Sequence, residues 1–204
     1  VALVHLRRWL LPLACALAFC ARPAPAHAKR PGTHFLAELD AGASLTGDGG
    51  PQASIALGAG GKLKGFAPRF YVLGSFARSA YEASSGAPFD GDEYGSFGDL
   101  ALGPRVYLPI AGPLRLFVDG QLGASYASAT FVERDSGRGP LSADEWLGLG
   151  IVSSGLSLRL IRALSIGARV SLAFNEAGLA GAARLAGVRD PVRVSINAGV
   201  TWHF

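Results

Sequence analysis

Apolar and polar residues alternate along much of this chain with a period of two, the signature of strands whose faces meet different surroundings. From His34 to Thr46, Phe35, Leu39, Ala41, Ala43 and Leu45 share one face, and Glu38, Asp40, Ser44 and Thr46 the other. From Gln52 to Lys64, Ile55, Leu57, Ala59 and Leu63 oppose Ser54, Lys62 and Lys64. Leu114 to Tyr126 sets Leu116, Val118, Leu122 and Ala124 against Arg115, Asp119, Gln121 and Ser125. Ser165 to Asn175 sets Ile166, Val170, Leu172 and Phe174 against Ser165, Arg169, Ser171 and Asn175. Three further strands have the composition but a less regular alternation: Arg69 to Tyr81, Asp99 to Leu108 and Leu147 to Leu160. Pro104 lacks a ladder donor and predicts a bulge or local irregularity in the second of these. An eighth strand runs from Val192 to Phe204.

The links between these strands alternate in length. Short ones follow the second, fourth and sixth strands (Gly65–Pro68, Pro109–Pro113 and Ile161–Leu164). Longer ones follow the third, fifth and seventh (Glu82–Gly98, Ser128–Trp146 and Glu176–Pro191), while the first link, Gly47–Pro51, is short. Short turns at one end and longer loops at the other are the habit of a membrane barrel. Aromatic residues then divide between the two ends, as interface girdles require. Phe35, Phe66, Phe70, Tyr71, Tyr107, Phe117, Trp202 and Phe204 fall at the turn end. Tyr81, Tyr94, Phe97, Tyr126, Phe131, Trp146 and Phe174 fall at the loop end. Phe76 sits near mid-strand and Phe89 in a loop. The expected fold is all-β, an eight-stranded antiparallel up-and-down transmembrane β-barrel.

The first 28 residues read differently. His5, Arg7 and Arg8 precede an apolar run from Trp9 to Phe19, and Ala26-His27-Ala28 offers a small-x-small cleavage pattern. We expect a signal peptide over 1–28 and the barrel domain over 29–204. Cys15 and Cys20 both fall in that leader, so no thiol, disulfide or cysteine metal site is expected in the barrel. Removing Arg7, Arg8 and Arg22 leaves 16 Lys+Arg against 15 Asp+Glu, too even a balance to suggest nucleic acid as partner. All 28 glycines lie after residue 28. No uncharged apolar run there reaches the roughly 20 residues a membrane helix needs.

The last strand, Val192-Arg193-Val194-Ser195-Ile196-Asn197-Ala198-Gly199-Val200-Thr201-Trp202-His203-Phe204, alternates strictly and ends on an aromatic residue. It resembles the C-terminal assembly signal of bacterial outer-membrane proteins. That resemblance implies that Val200, Trp202 and Phe204 form an insertion signal read by the barrel-insertion machinery. Residues 33–204 as a whole are similar to the OmpA/OmpX-like, porin-family β-barrel domain. Leu102-Gly103-Pro104-Arg105-Val106-Tyr107-Leu108-Pro109, leading into Leu116-Phe117-Val118-Asp119-Gly120, looks like its central hairpin. The resemblance implies a Gram-negative outer-membrane location with both termini periplasmic. Its implied partners are membrane lipid, lipopolysaccharide and, during biogenesis, the insertion machinery and periplasmic chaperones. A monomer without cofactor is expected, and no periplasmic peptidoglycan-binding domain after Phe204.

Function is less legible. Glu38, Asp40, Lys62, Lys64, Asp99, Arg105, Arg115, Asp119, Arg169 and Arg193 all point to the lumen in this threading. An eight-stranded barrel is just wide enough for side chains to fill. Opposite charges there should pair into a structural plug, since unpaired buried charge is costly. A narrow, gated path for small solutes or ions is the alternative, and glycines such as Gly42, Gly58, Gly60, Gly103, Gly123, Gly167 and Gly199 would leave room for water. Lipid-modifying catalysis is the third reading. It needs a His–Ser–acid constellation, and neither His34 nor His203 has a Ser–acid pair evident at its depth. Asp90, Asp92 and Glu93 are an acidic loop capable of holding Ca²⁺ but without an EF-hand pattern. The expectation is a non-enzymatic outer-membrane barrel with a structural or surface-interaction role.

Overall fold

The computed structural model describes residues 33–45, 50–62, 68–85, 91–133, 140–175 and 192–204. The expected leader over 1–28 lies outside these residues, as do Lys64, Phe66, Phe89, Asp90 and residues 176–191. Eight strands form one closed antiparallel barrel in sequence order. They are β1 (His34–Ser44), β2 (Gly50–Lys62), β3 (Arg69–Ser85), β4 (Gly91–Ala111), β5 (Leu114–Glu133), β6 (Leu141–Ile161), β7 (Leu164–Asn175) and β8 (Val192–His203). β8 pairs with β1 from Leu36↔His203 to Ser44↔Ser195. Mutual backbone hydrogen bonds between Phe35 and Phe204 extend that seam. Closure leaves the barrel wall without an edge.

The predicted faces hold. Leu57, Val72, Leu100, Leu102, Leu122, Val152, Leu156, Val170 and Ile196 all stand exposed on the outer surface. In water such a belt would be very costly. In hydrocarbon it is the favourable face. The two strands whose facing the sequence left open, the third and the sixth, are also regular: β3 turns Tyr71, Leu73, Ala77 and Ser79 inward, and β6 turns Leu147, Leu149, Ser153 and Ser157 inward.

Pro104 does not bulge. It faces outward, and the β4–β5 register is the same on either side of it, from Leu102↔Leu122 to Arg105↔Asp119. A missing donor costs a ladder bond but no residue, so the register need not shift. The shifts lie instead at Pro109/Ala111 and Arg159/Ile161, beside the two tight turns. In the first of these, Gly112 takes φ 51°, a conformation glycine adopts without a steric penalty.

Two expectations need correction. β4 and β6 have 21 residues each and β5 has 20, against 11 in β1 and 12 in β7 and β8. A tilted membrane strand needs roughly 9–11. Much of the predicted links Glu82–Gly98 and Ser128–Trp146 is therefore strand, and among the described residues β3 to β6 continue beyond the other four strands. Asp92 and Glu93, expected in a loop, sit in β4 opposite Ser84 and Ala83. The girdles are also thinner than expected. Phe35, Trp146, Tyr94, Phe174 and Phe204 are outward and exposed, but Tyr71, Tyr107, Phe117 and Phe97 point inward and are buried. End-of-strand position did not distinguish the two faces for these four.

Candidate functional site in the lumen

The lumen is filled in layers, and each layer follows from which strand position faces in. Nearest the turns, an apolar floor is made by Leu36, Tyr71, Leu73, Tyr107 and Phe117. Tyr71 meets Tyr107 edge-on at 5.7 Å between ring centroids, and Tyr107 lies 5.6 Å from Phe117. These side chains pack against one another from the β1, β3, β4 and β5 side of the bore.

Above the floor lies an ionic layer. Arg105 on β4 is fully buried (0 % exposed). Its guanidinium donates to Glu38 Oε2 at 2.5 Å and Oε1 at 3.1 Å, and to Asp119 Oδ2 from Nε at 2.9 Å. It also stacks 4.5 Å from the centre of the Phe117 ring, so the ion layer is seated directly on the aromatic floor. Arg169 on β7 reaches Glu38 Oε1 at 3.0 Å, Asp40 Oδ2 at 2.7 Å and Ser54 Oγ at 2.7 Å. Thr201 Oγ1 donates to Glu38 at 3.2 Å, and Ser54 Oγ to Asp40 at 3.2 Å. Gln121 donates to Asp119 at 3.3 Å and accepts from Ser75 Oγ. Side chains from most of the wall thus converge on two guanidiniums and three carboxylates. Buried charge is tolerated here because nearly every lone pair is occupied.

Towards the loops, Arg193 holds both oxygens of Asp99, at 2.9 and 3.0 Å, and lies 4.2 Å from the centre of Phe97. Ser125 Oγ adds a 2.5 Å bond to Asp99. Between the Asp40–Arg169 pair and the Asp99–Arg193 pair is a polar cavity of about 40 Å³, lined by Ser54, Ser75, Ser79, Ser153 and Ser171 among others. A space of that size admits one or two waters.

Of the ten lumen charges named from sequence, seven form these two clusters: Glu38, Asp40, Asp99, Arg105, Asp119, Arg169 and Arg193. The other three do not join. Lys62 is exposed at the turn end, Arg115 is half-buried there with no acid partner among the described residues, and Lys64 lies outside those residues. Alternation gave their face but not their depth. The neutral partners Ser54, Ser75, Thr201 and Tyr107 carried no signal beyond their inward parity.

The lumen glycines act differently from expectation. A Cβ on Gly103 would lie 2.0 Å from the carbonyl oxygen of Gly120, and one on Gly123 would lie 1.9 Å from that of Leu100. The missing side chains let neighbouring backbones approach, rather than leaving space for water.

A Ser–His contact exists that the sequence reading missed. Ser165 Oγ lies 3.0 Å from His203 Nε2, across the β7–β8 ladder. Ser165 is 1 % exposed, however, and His203 Nδ1 has no partner among the described residues. Among the described residues no acid orients the ring, the third member such a pair needs for nucleophilic catalysis. Val200, Trp202 and Phe204 form the outward face at the end of β8. Both edges of that strand are paired in the closed barrel, so any reader of an insertion signal there must act before closure.

No family model and no curated protein matches the sequence. Solved structures do match its backbone. A major outer membrane protein from Thermus thermophilus has 11% identity, with 87% of this chain and 100% of that one covered and a TM-score of 0.59. Ail, the attachment invasion locus protein of Yersinia pestis, crystallised in complex with the heparin analogue sucrose octasulfate, has 17% identity, 85% and 99% coverage and a TM-score of 0.50. The N-terminal β-barrel domain of Pseudomonas aeruginosa OprF has 12% identity, 84% and 97% coverage and a TM-score of 0.48. The chain has the fold of small outer-membrane β-barrels.

Proposed function

We propose that this protein is a non-enzymatic, monomeric outer-membrane barrel that acts through the sheet it projects beyond the membrane, with its turns in the periplasm. The observation that carries the reading is the unequal height of the wall. β2 stops pairing with β3 at Ser79, and β7 stops pairing with β6 at Leu149. Above those points β3 to β6 form a four-stranded sheet. Among the described residues its outer edges, 80–85 and 141–148, pair with no further strand. A sheet with free edges can recruit an extended partner segment by main-chain hydrogen bonding.

The partner chemistry this end favours is cationic. The segments leading into it hold Glu82, Asp90, Asp92, Glu93, Asp144 and Glu145. Divalent cations bridging to lipopolysaccharide would satisfy the same acids. Ail was crystallised with a polysulfated sugar, whereas these acids would repel one. A conducting pore is the weaker reading, because the ionic layer rests on an apolar floor and ions cross such constrictions poorly.

Two measurements test this. Planar-bilayer recordings of the refolded protein should be silent, and persistent single-channel steps would transfer the function to the channel reading. Asp144→Cys on cells should react with a membrane-impermeant maleimide, while Ala163→Cys in the β6–β7 turn should not. The reverse pattern sinks the orientation on which the reading rests.

A further inference from the structure

The turn end of the lumen carries an unbalanced positive charge. No Asp or Glu occurs in residues 49–81, 100–118, 146–175 or 191–204, the stretches that build the wall on either side of the turns. By strand parity the inward titratable positions nearest this mouth are His34, Lys62, Arg69, Arg115, Arg159 and His203. These groups face one another. Arg69 and Arg159 are the cations whose charge acts most strongly on Arg115, and the rings of Tyr71 and Tyr107 lie near it too. His203 faces Arg159, Arg115, Arg69 and Glu38. Glu38 is the carboxylate nearest the group, and its oxygens are held by Arg105, Arg169 and Thr201 on the far side of the aromatic floor.

Like-charged guanidiniums gathered at one mouth repel one another unless an anion joins them. We propose that this mouth binds a multivalent phosphoryl oxyanion. The guanidinium fork matches the geometry of phosphate oxygens and donates two parallel hydrogen bonds to them. Arg159 is already steadied, donating to the carbonyl oxygens of Ile161 and Arg162 in the adjacent turn. Its remaining donors, with those of Arg69 and Arg115, surround the mouth from three strands. Tyr71, Tyr107 and Phe117 of the floor lie between this mouth and the ionic layer. The inference rests on the lumen and holds whichever way the barrel faces.

The test uses the full-length folded chain in nanodiscs of zwitterionic phosphatidylcholine, titrated calorimetrically with tripolyphosphate at constant ionic strength. Saturable one-to-one binding is expected, weakened by about tenfold or more in R69Q/R115Q/R159Q and unchanged in R78Q, which alters the outward face at the other end. The heat-dependent gel shift checks that each variant is folded. Should the triple variant not fold, R115Q alone is expected to weaken binding by about threefold, a loss read against the same control. Repeating the titration in phosphatidylglycerol nanodiscs separates the sources of phosphate. Weaker tripolyphosphate binding there assigns the cup to lipid headgroups, and unchanged binding assigns it to a water-borne anion. Absence of saturable binding by the wild type, or equal affinity in a folded arginine variant, overturns the proposal.

Discussion

At the scale of single residues, Arg105 decides most about the interior. Among the described residues it is the one group that joins Glu38 to Asp119, and it also stacks on the aromatic floor. Arg105→Ala leaves two buried carboxylates short of a counter-charge, which typically costs about 3–5 kcal/mol. Urea titration of the folded protein in micelles should show a loss of that size, and a loss below about 1 kcal/mol would mean that water already enters the layer. Glycine offers a sharper contrast. Gly103→Ala must push the β5 backbone away from its present 2.0 Å clash distance and should cost about 1–3 kcal/mol. Gly120, the residue whose carbonyl is struck, has nothing within 4 Å of its own Cβ position. Gly120→Ala should stay within about 0.5 kcal/mol of the wild type in the same titration.

The strands themselves carry the membrane reading. Leu122 on β5 is 76 % exposed near the middle of the outer belt, and Ile110 is exposed beside a turn. If the belt is solvated by hydrocarbon, Leu122→Arg costs about 2–4 kcal/mol and Ile110→Arg about 0–1. Folding equilibria in lipid vesicles measure both, and equal small costs would place the belt in water. Strand length was the element-scale property least visible in the sequence, for a reason that can be located. In Glu93–Phe97, Ala127–Phe131 and Ala143–Leu147, small, polar and aromatic residues are mixed without a clean period of two. Buried Ala127 and Ala129 are barely larger or more apolar than their neighbours Ser128 and Thr130, so the apolar–polar contrast fades although the backbone ladder continues.

For the molecule as a whole, the wall and the projecting sheet are separable. Every membrane-level strand pair, including the β1–β8 seam, lies below Ser79 and Leu149. Replacing residues 82–95 and 130–143 with short turns should therefore leave a closed barrel. The trimmed protein should keep its heat-dependent gel shift, whereas a mobility unaffected by heating would show that the sheet helps to close the wall.

Sequence alone determined the antiparallel eight-strand order, the facing of the regular strands and the set of inward charges. Those are consequences of a period-two code read against two solvents, and each is local to its own strand. Tertiary structure decided depth and partnership. Glu38 and Arg169 are 131 positions apart, yet share one hydrogen bond, and no local pattern encodes the stagger that brings them level. The same stagger carried Arg115 and Lys62 to the mouth rather than into the plug, turned Tyr71, Tyr107 and Phe117 into a floor, and set Ser165 against His203. Parity is a property of one strand, whereas level along the barrel axis is a property of all eight registers together.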